Sequence, residues 1–203
     1  MILKESSEQV KIIDTKIDQF ANYLQQRNNL DRIQFLKVRL GMQVVVSNIA
    51  KFIVTYGLAL IIHVFWYTLV THIAYMILRF YAHGSHAKSS LLCHIQNVLI
   101  FVIMPWLIVR LSIGHFSMLI LALIGYFIVI TYAPAATKKQ PIPKRLVKRK
   151  RILSIVLYII LVIISFIVKE PYSQLILFGL IVESTTLLPI FFPKEDYYYG
   201  NFS

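Results

Sequence analysis

Residues 91–132 read LLCHIQNVLIFVIMPWLIVRLSIGHFSMLILALIGYFIVITY. Two apolar arms, 91–109 and 117–132, flank Arg110 and the small turn Ser112-Ile113-Gly114. A helix needs about 20 predominantly apolar residues to cross a hydrocarbon layer about 30 Å thick. Both arms approach that length, so the stretch predicts a membrane-spanning helical hairpin. The rest of the chain agrees. Hydrophobic residues make up 58% of its 203 residues and charged residues 15%, and the mean hydropathy is +0.68. A soluble domain is about half apolar and about a quarter charged, so the composition argues against a compact water-soluble enzyme. It excludes disorder for the same reason.

Outward on the C-terminal side, residues 133–151 read APAATKKQPIPKRLVKRKR, with eight Lys and Arg and no acid. Positive loops remain cytoplasmic. Residues 152–168 and 175–192 are further apolar runs separated by Lys169-Glu170-Pro171, giving a second hairpin over 152–192. The turn at 111–116 is uncharged with His115 neutral, so the 91–132 hairpin starts and ends on the cytoplasmic side. The helix breakers Pro105 and Pro189 predict kinks.

On the N-terminal side, residues 42–78 are almost wholly apolar, with Lys51 the only charge and Gly57 near the midpoint. Thirty-seven residues are too many for one ordinary span and just enough for two short ones. Lys51 at a helix centre would cost about 2.5–3.5 kcal/mol, so it snorkels or this pair is re-entrant. Residues 7–27 place Val10, Ile13, Ile17, Phe20 and Leu24 at helical spacing, with a wet face of Lys11, Asp14, Lys16 and Asp18. Ser6 and Gln9 fit a capping box, and Asn28-Asn29 ends the element. The expected fold is an all-α integral membrane protein. It has about six transmembrane helices in one domain over 1–203, an amphipathic surface helix at 7–27 and both termini cytoplasmic. The early charges of the N-terminus do not fit a secretory signal peptide.

Twenty-one Lys and Arg against nine Asp and Glu give a net charge of +12. The basic residues sit mostly between apolar runs and no nucleic-acid motif accompanies them. The charge therefore reads as topology and contact with anionic lipid, with no nucleic acid.

One cluster has the makings of chemistry. Residues 79–94, RFYAHGSHAKSSLLCH, join two membrane segments on the expected cytoplasmic side. They hold Cys93, the sole cysteine, and three of the six histidines. A cysteine nucleophile needs a base, because the thiolate attacks. His83, His86 and His94 are the candidates. Residues seven apart on a helix lie about 10 Å apart along its axis, so His86 reaches Cys93 only if the chain folds back, as Gly84 and Ser89-Ser90 allow. Ser90 as an N-cap puts Cys93 at the third helical position, where the helix dipole favours negative charge. His94 follows Cys93 directly and points elsewhere. As a metal site, the spacing of His83, His86, Cys93 and His94 matches no usual zinc pattern, so no metal and no cofactor are expected. The plain structural alternative is a polar turn beside an inert buried cysteine.

Glu183 is the only acid at membrane depth and a functional candidate on that ground. It orients a histidine, pairs with Lys51, or stays protonated. His63 and His72 read as interhelical hydrogen-bonders. A carrier or peptide exporter with Cys93 incidental is the competing class, and its polar path would have only Lys51, His63, His72 and Glu183.

Several stretches also match a known pattern: KIDQF (16–20), RNNLD (27–31), RLGMQV (39–44), AHGSHA (82–87) through Cys93, YAPAATKK (132–139) and LLPIFF (187–192). With these the chain resembles, over nearly its whole length, the accessory gene regulator protein B family of bacterial quorum sensing. The resemblance implies a membrane cysteine endopeptidase that cuts the C-terminal tail from a short precursor peptide. The peptide passes to the enzyme cysteine as a thioester, and a cysteine within the peptide then closes a thiolactone. Carried over by position, the base is His86 and the nucleophile Cys93, while His83 and Gly84 match the motif. Relatives often carry a basic residue and a His where Phe80 and Tyr81 stand here, which argues against essential chemistry at those two positions. The implied partner is an amphipathic precursor with an acidic tail, and homodimerisation is suggested. Lys138, Lys139, Lys144 and Arg145 would attract such a tail.

Overall fold

A computed structural model describes residues 2–85, 90–137 and 142–192. Among the described residues the chain is helical with no strand: α1 Ile2–Asn28, α2 Arg32–Ile61, α3 Phe65–Ala82, α4 Ser90–Val98, α5 Met104–Arg110, α6 His115–Tyr132, α7 Lys144–Ile167 and α8 Tyr172–Thr186. Four helical segments are long and apolar enough to cross a membrane: Arg32–Ile61, Leu92–Arg110, His115–Tyr132 and Lys144–Ile167. The expected count was six. α3 is diluted by Thr68, Thr71, His72 and Arg79, and α8, at 15 residues, rises only about 22 Å.

The chain divides into two compact units, residues 1–54 and 55–203. In the first, α1 begins at Ile2, so Ser6 lies inside the helix rather than capping it. The capping box falls instead on α2. The Asp31 carboxylate accepts the Gln34 N–H at 2.7 Å, and the Gln34 side chain accepts the Asp31 N–H at 3.1 Å. Asn29, in the left-handed region at φ 47°, makes the break. Arg39 pairs with Asp18, and Ile17, Phe20, Val38, Met42 and Val45 line an apolar groove between the helices.

In the second unit, the expected hairpin over 42–78 breaks not near Gly57 but at Ile62–Val64, after α2 has run 30 residues. His63 carries the turn at φ 59°, a conformation that His adopts more readily than most side chains. His63 is exposed there, so it is no interhelical bridge. His72 is one: its Nδ1 lies 3.0 Å from the Tyr56 hydroxyl. The Pro105 kink takes the form of a π turn, Leu99–Ile103, between α4 and α5. Proline lacks an N–H and crowds the carbonyl four residues back, and a wider turn relieves both. Pro189 starts a short 3-10 turn beyond α8 rather than bending it.

α8 is the core. Every residue from Ser173 to Leu180 is buried, enclosed by α3, α6 and α7. Their outer faces stay apolar and open, with Phe127 66% and Phe166 63% exposed. Such a surface suits lipid, which leaves close van der Waals packing to hold the helices together. Gly179 sets the distance between α8 and α3. A Cβ there would stand 2.6 Å from the Thr71 carbonyl oxygen and 2.9 Å from the Ala74 Cβ. Gly179→Val should therefore cost about 1–3 kcal/mol through overpacking and lower the melting temperature in detergent. Gly41→Ala, which meets nothing within 4 Å, should not.

Candidate active site

The ends of α3, α6 and α8 and the starts of α4 and α7 gather at one end of this unit. Residues 83–85 make the junction. His83 and Ala135 form an isolated bridge, in which the Ala135 N–H donates to the Ala82 carbonyl at 2.9 Å. The Gly84 N–H donates to the Ala135 carbonyl at 3.3 Å. From α7, Arg151 donates to the Ala133 carbonyl at 2.8 Å and Lys150 bonds to the His83 ring.

Arg79, on the last turn of α3, fastens this loop. Its Nη2 donates to the carbonyls of Gly84 (3.2 Å) and Ser85 (2.7 Å). Its Nη1 donates to Thr186 Oγ1 (2.8 Å) and Glu183 Oε2 (3.3 Å) on α8. A planar guanidinium serves four such acceptors and an ammonium does not. Glu183 is fully buried, and its Oε1 has no hydrogen-bond partner among the described residues. The Ser85 N–H and hydroxyl both donate to the Thr186 carbonyl at 3.0 Å, which satisfies a backbone acceptor at the C-terminal end of α8. Gly84 has φ 123°, and a Cβ there would lie 2.5 Å from Thr186 Oγ1 and 2.7 Å from Arg79 Nη1. Only glycine fits.

Cys93 stands on the first turn of α4, half-buried. It opens on a cavity of about 440 Å³. Arg79, Ser85 and Thr186 line this cavity with it, and Tyr75, Gln96 and Asn97 add further polar groups. Ile100, Phe101, Val182 and Phe191 supply apolar wall. The helix starts at Ser90, making Cys93 its fourth residue rather than its third. The end of the pinned loop, Ser85, immediately precedes His86 in the chain and shares the cavity with Cys93.

Residues 17–187 match the family model of accessory gene regulator B. The chain is 65% identical over 191 residues to an accessory gene regulator protein B of Staphylococcus epidermidis, covering 94% of this chain and 98% of the relative. The homonymous protein of Staphylococcus haemolyticus is 61% identical over 187 residues, covering 92% and 100%. That of a bovine Staphylococcus aureus strain is 58% identical over 183 residues, covering 90% and 98%. The chain belongs to the accessory gene regulator protein B family. No solved structure matches it. Membership connects the chain to accessory gene regulation in quorum sensing, and the four apolar helices fit a membrane protein.

Of the residues singled out from the sequence, Cys93, Gly84 and Glu183 fall in or against this junction, and His83 sits at its rim. His86, Lys138 and Lys139 lie outside the described residues, as does the side chain of Ser90. Lys144 and Arg145 are exposed on the first turn of α7, which begins inside the expected loop of 133–151. His94 is half-buried and does not line the cavity. The partner of Glu183 is Arg79, rather than a histidine or Lys51. Sequence reasoning missed Arg79, Thr186 and Tyr75. The one available signal was a pair of opposite charges, Arg79 at the end of one apolar run and Glu183 within another. Removing one member of a buried ion pair leaves the other uncompensated. Glu183→Gln should therefore lower unfolding stability in bicelles by about 3–5 kcal/mol, where a structurally idle carboxyl would lower it by less than about 1 kcal/mol.

Proposed function

We propose that the chain is a membrane cysteine endopeptidase that removes the C-terminal tail of an autoinducing propeptide and supports thiolactone closure. Cys93 is the nucleophile and His86 the general base. One observation carries this beyond family membership: Cys93 faces a cavity whose wall includes Ser85, the last pinned residue before His86. His86 takes the thiol proton. The thiolate attacks the scissile carbonyl, the C–N bond breaks and the tail amine leaves with the proton from His86. A peptide cysteine then attacks the thioester, and Cys93 leaves as thiolate. Exchange of one thioester for another keeps acyl energy nearly level, so this step needs no ATP if water is kept out. The apolar wall of the cavity favours that.

The same end of the bundle carries Lys144 and Arg145, with Lys138 and Lys139 in the adjoining segment of the chain. In the proposed topology this end is cytoplasmic. α3 and α8 cross with the four longer helical segments, six crossings in all, and both termini are cytoplasmic. α1 lies on the membrane surface as an amphipathic helix. An amphipathic precursor arrives along the same leaflet, with its acidic tail drawn to the basic residues. His83, Gly84, Ser90 and Glu183 support the pair, and the protein works as a homodimer in lipid. Against the carrier alternative, two of the four residues of its polar path are engaged elsewhere: His72 with Tyr56 and Glu183 with Arg79.

Intact mass spectrometry tests the proposal, with purified protein in lipid and its precursor peptide. Wild type should release the tail and carry peptide mass on Cys93. Cys93→Ala and His86→Ala should do neither. Tail release by Cys93→Ala would refute the thioester route.

A further inference from the structure

We propose that the Tyr75 hydroxyl donates the hydrogen bond that stabilises the oxyanion as Cys93 attacks the scissile carbonyl. The proposal rests on the reading of Cys93 as the nucleophile and adds a catalytic residue to it. Attack moves the carbonyl π electrons onto oxygen, and a preorganised donor aimed at that oxygen is commonly the largest single contribution to such a reaction.

The donors on the cavity wall can be sorted. Arg79 is committed to the loop carbonyls, Glu183 and Thr186. The Ser85 hydroxyl donates to the Thr186 carbonyl, and the Thr186 hydroxyl to the Glu183 carbonyl at 2.8 Å. Tyr75, Gln96 and Asn97 remain, and their side chains bond to no described residue. Gln96 is exposed, and no ring contact or hydrogen bond to a described residue fixes the half-buried Asn97 amide.

Tyr75 differs from both. Its ring stands edge-on to Phe101 at 5.0 Å between centroids, and the Arg79 guanidinium carbon lies 5.8 Å from the ring centre. His72 closes another side at 6.3 Å. The ring is therefore fixed on the cavity wall, and its hydroxyl bonds to no described residue. A tyrosine within an apolar bundle normally finds a partner for its hydroxyl. Tyr158 donates to the Ala122 carbonyl at 2.7 Å, and Tyr56 bonds to His72 at 3.0 Å. Tyr75, alone of these three, makes no such bond among the described residues, and it stands on the wall that carries the thiol.

The proton stays on Tyr75 throughout. The C–S bond forms as the carbonyl opens to the oxyanion, which accepts the phenol O–H. The oxyanion then collapses, restoring C=O and breaking C–N. Attack by the peptide thiol passes through a second oxyanion at the same position, so both half-reactions use the same donor.

Tyr75→Phe removes one oxygen and no hydrogen bond to a described residue. In the tail-release assay it should lower kcat about 10²–10³-fold with KM little changed. Alkylation of Cys93 by iodoacetamide should proceed as in wild type, showing that the fold and the thiol are intact. A precursor thionated at the scissile carbonyl, a weaker acceptor, should be slow in wild type and no slower in Tyr75→Phe. Wild-type tail release by Tyr75→Phe, or a loss carried by Asn97→Ala instead, overturns the assignment while leaving the peptidase intact. Absence of peptide on Cys93 in wild type overturns the peptidase reading, and this assignment with it.

Discussion

The ion pair between Arg79 and Glu183 is what the candidate site depends on. Burying either charge alone would be costly, and the pair repays that cost only with good geometry and further hydrogen bonds. Arg79 supplies those bonds to Gly84, Ser85 and Thr186. The arrangement ties the end of α3 to the end of α8 and fixes the backbone that runs on toward His86. The requirement for glycine at position 84 follows from the same crowding, since Arg79 and Thr186 occupy the space a side chain would take.

The pair can exist because α8 is enclosed. In lipid the helices gain little by hiding apolar surface from one another, and close approach has to come from small residues and internal polar contacts. Gly179 against α3 and Gly125 beneath Tyr158 and Ser184 provide the approach. Buried Ser184 and Tyr158 return their hydroxyl bonds to backbone carbonyls. A short helix sheathed by longer ones can hold a carboxylate at full burial and present it to one partner.

Much of this was legible in the sequence, unevenly. The apolar arms of 91–132, the turn at 112–114 and the apolar run of 152–168 were readable because lipid demands long apolar runs, whereas the start of α7 at Lys144 was hidden by its charges. The cluster at 79–94 stood out because cysteine and histidine are rare in such a chain. The break at Ile62–Val64 was not marked by any usual turn residue, since His63 takes the left-handed conformation in place of glycine. The enclosure of α8 was not readable, because a wholly buried helix and a lipid-facing one have the same composition. Arg79 and Glu183 are 104 positions apart, and no periodicity links such residues. Tyr75 looked like one more aromatic in an apolar run, since an unpaired hydroxyl is visible only once its surroundings are known.

Arg79 holds the loop end at Ser85 against Thr186. With Cys93 the sole native cysteine, Cys93→Ala leaves a thiol-free background in which Ser85→Cys and Thr186→Cys can be joined by mild oxidation. The expected result is a rapid intramolecular disulfide, detected as the loss of a hydrogen pair by intact mass, and slowed severalfold when Arg79→Gln is added. Failure to form it, or formation at the same rate without Arg79, would show that Arg79 does not hold the loop.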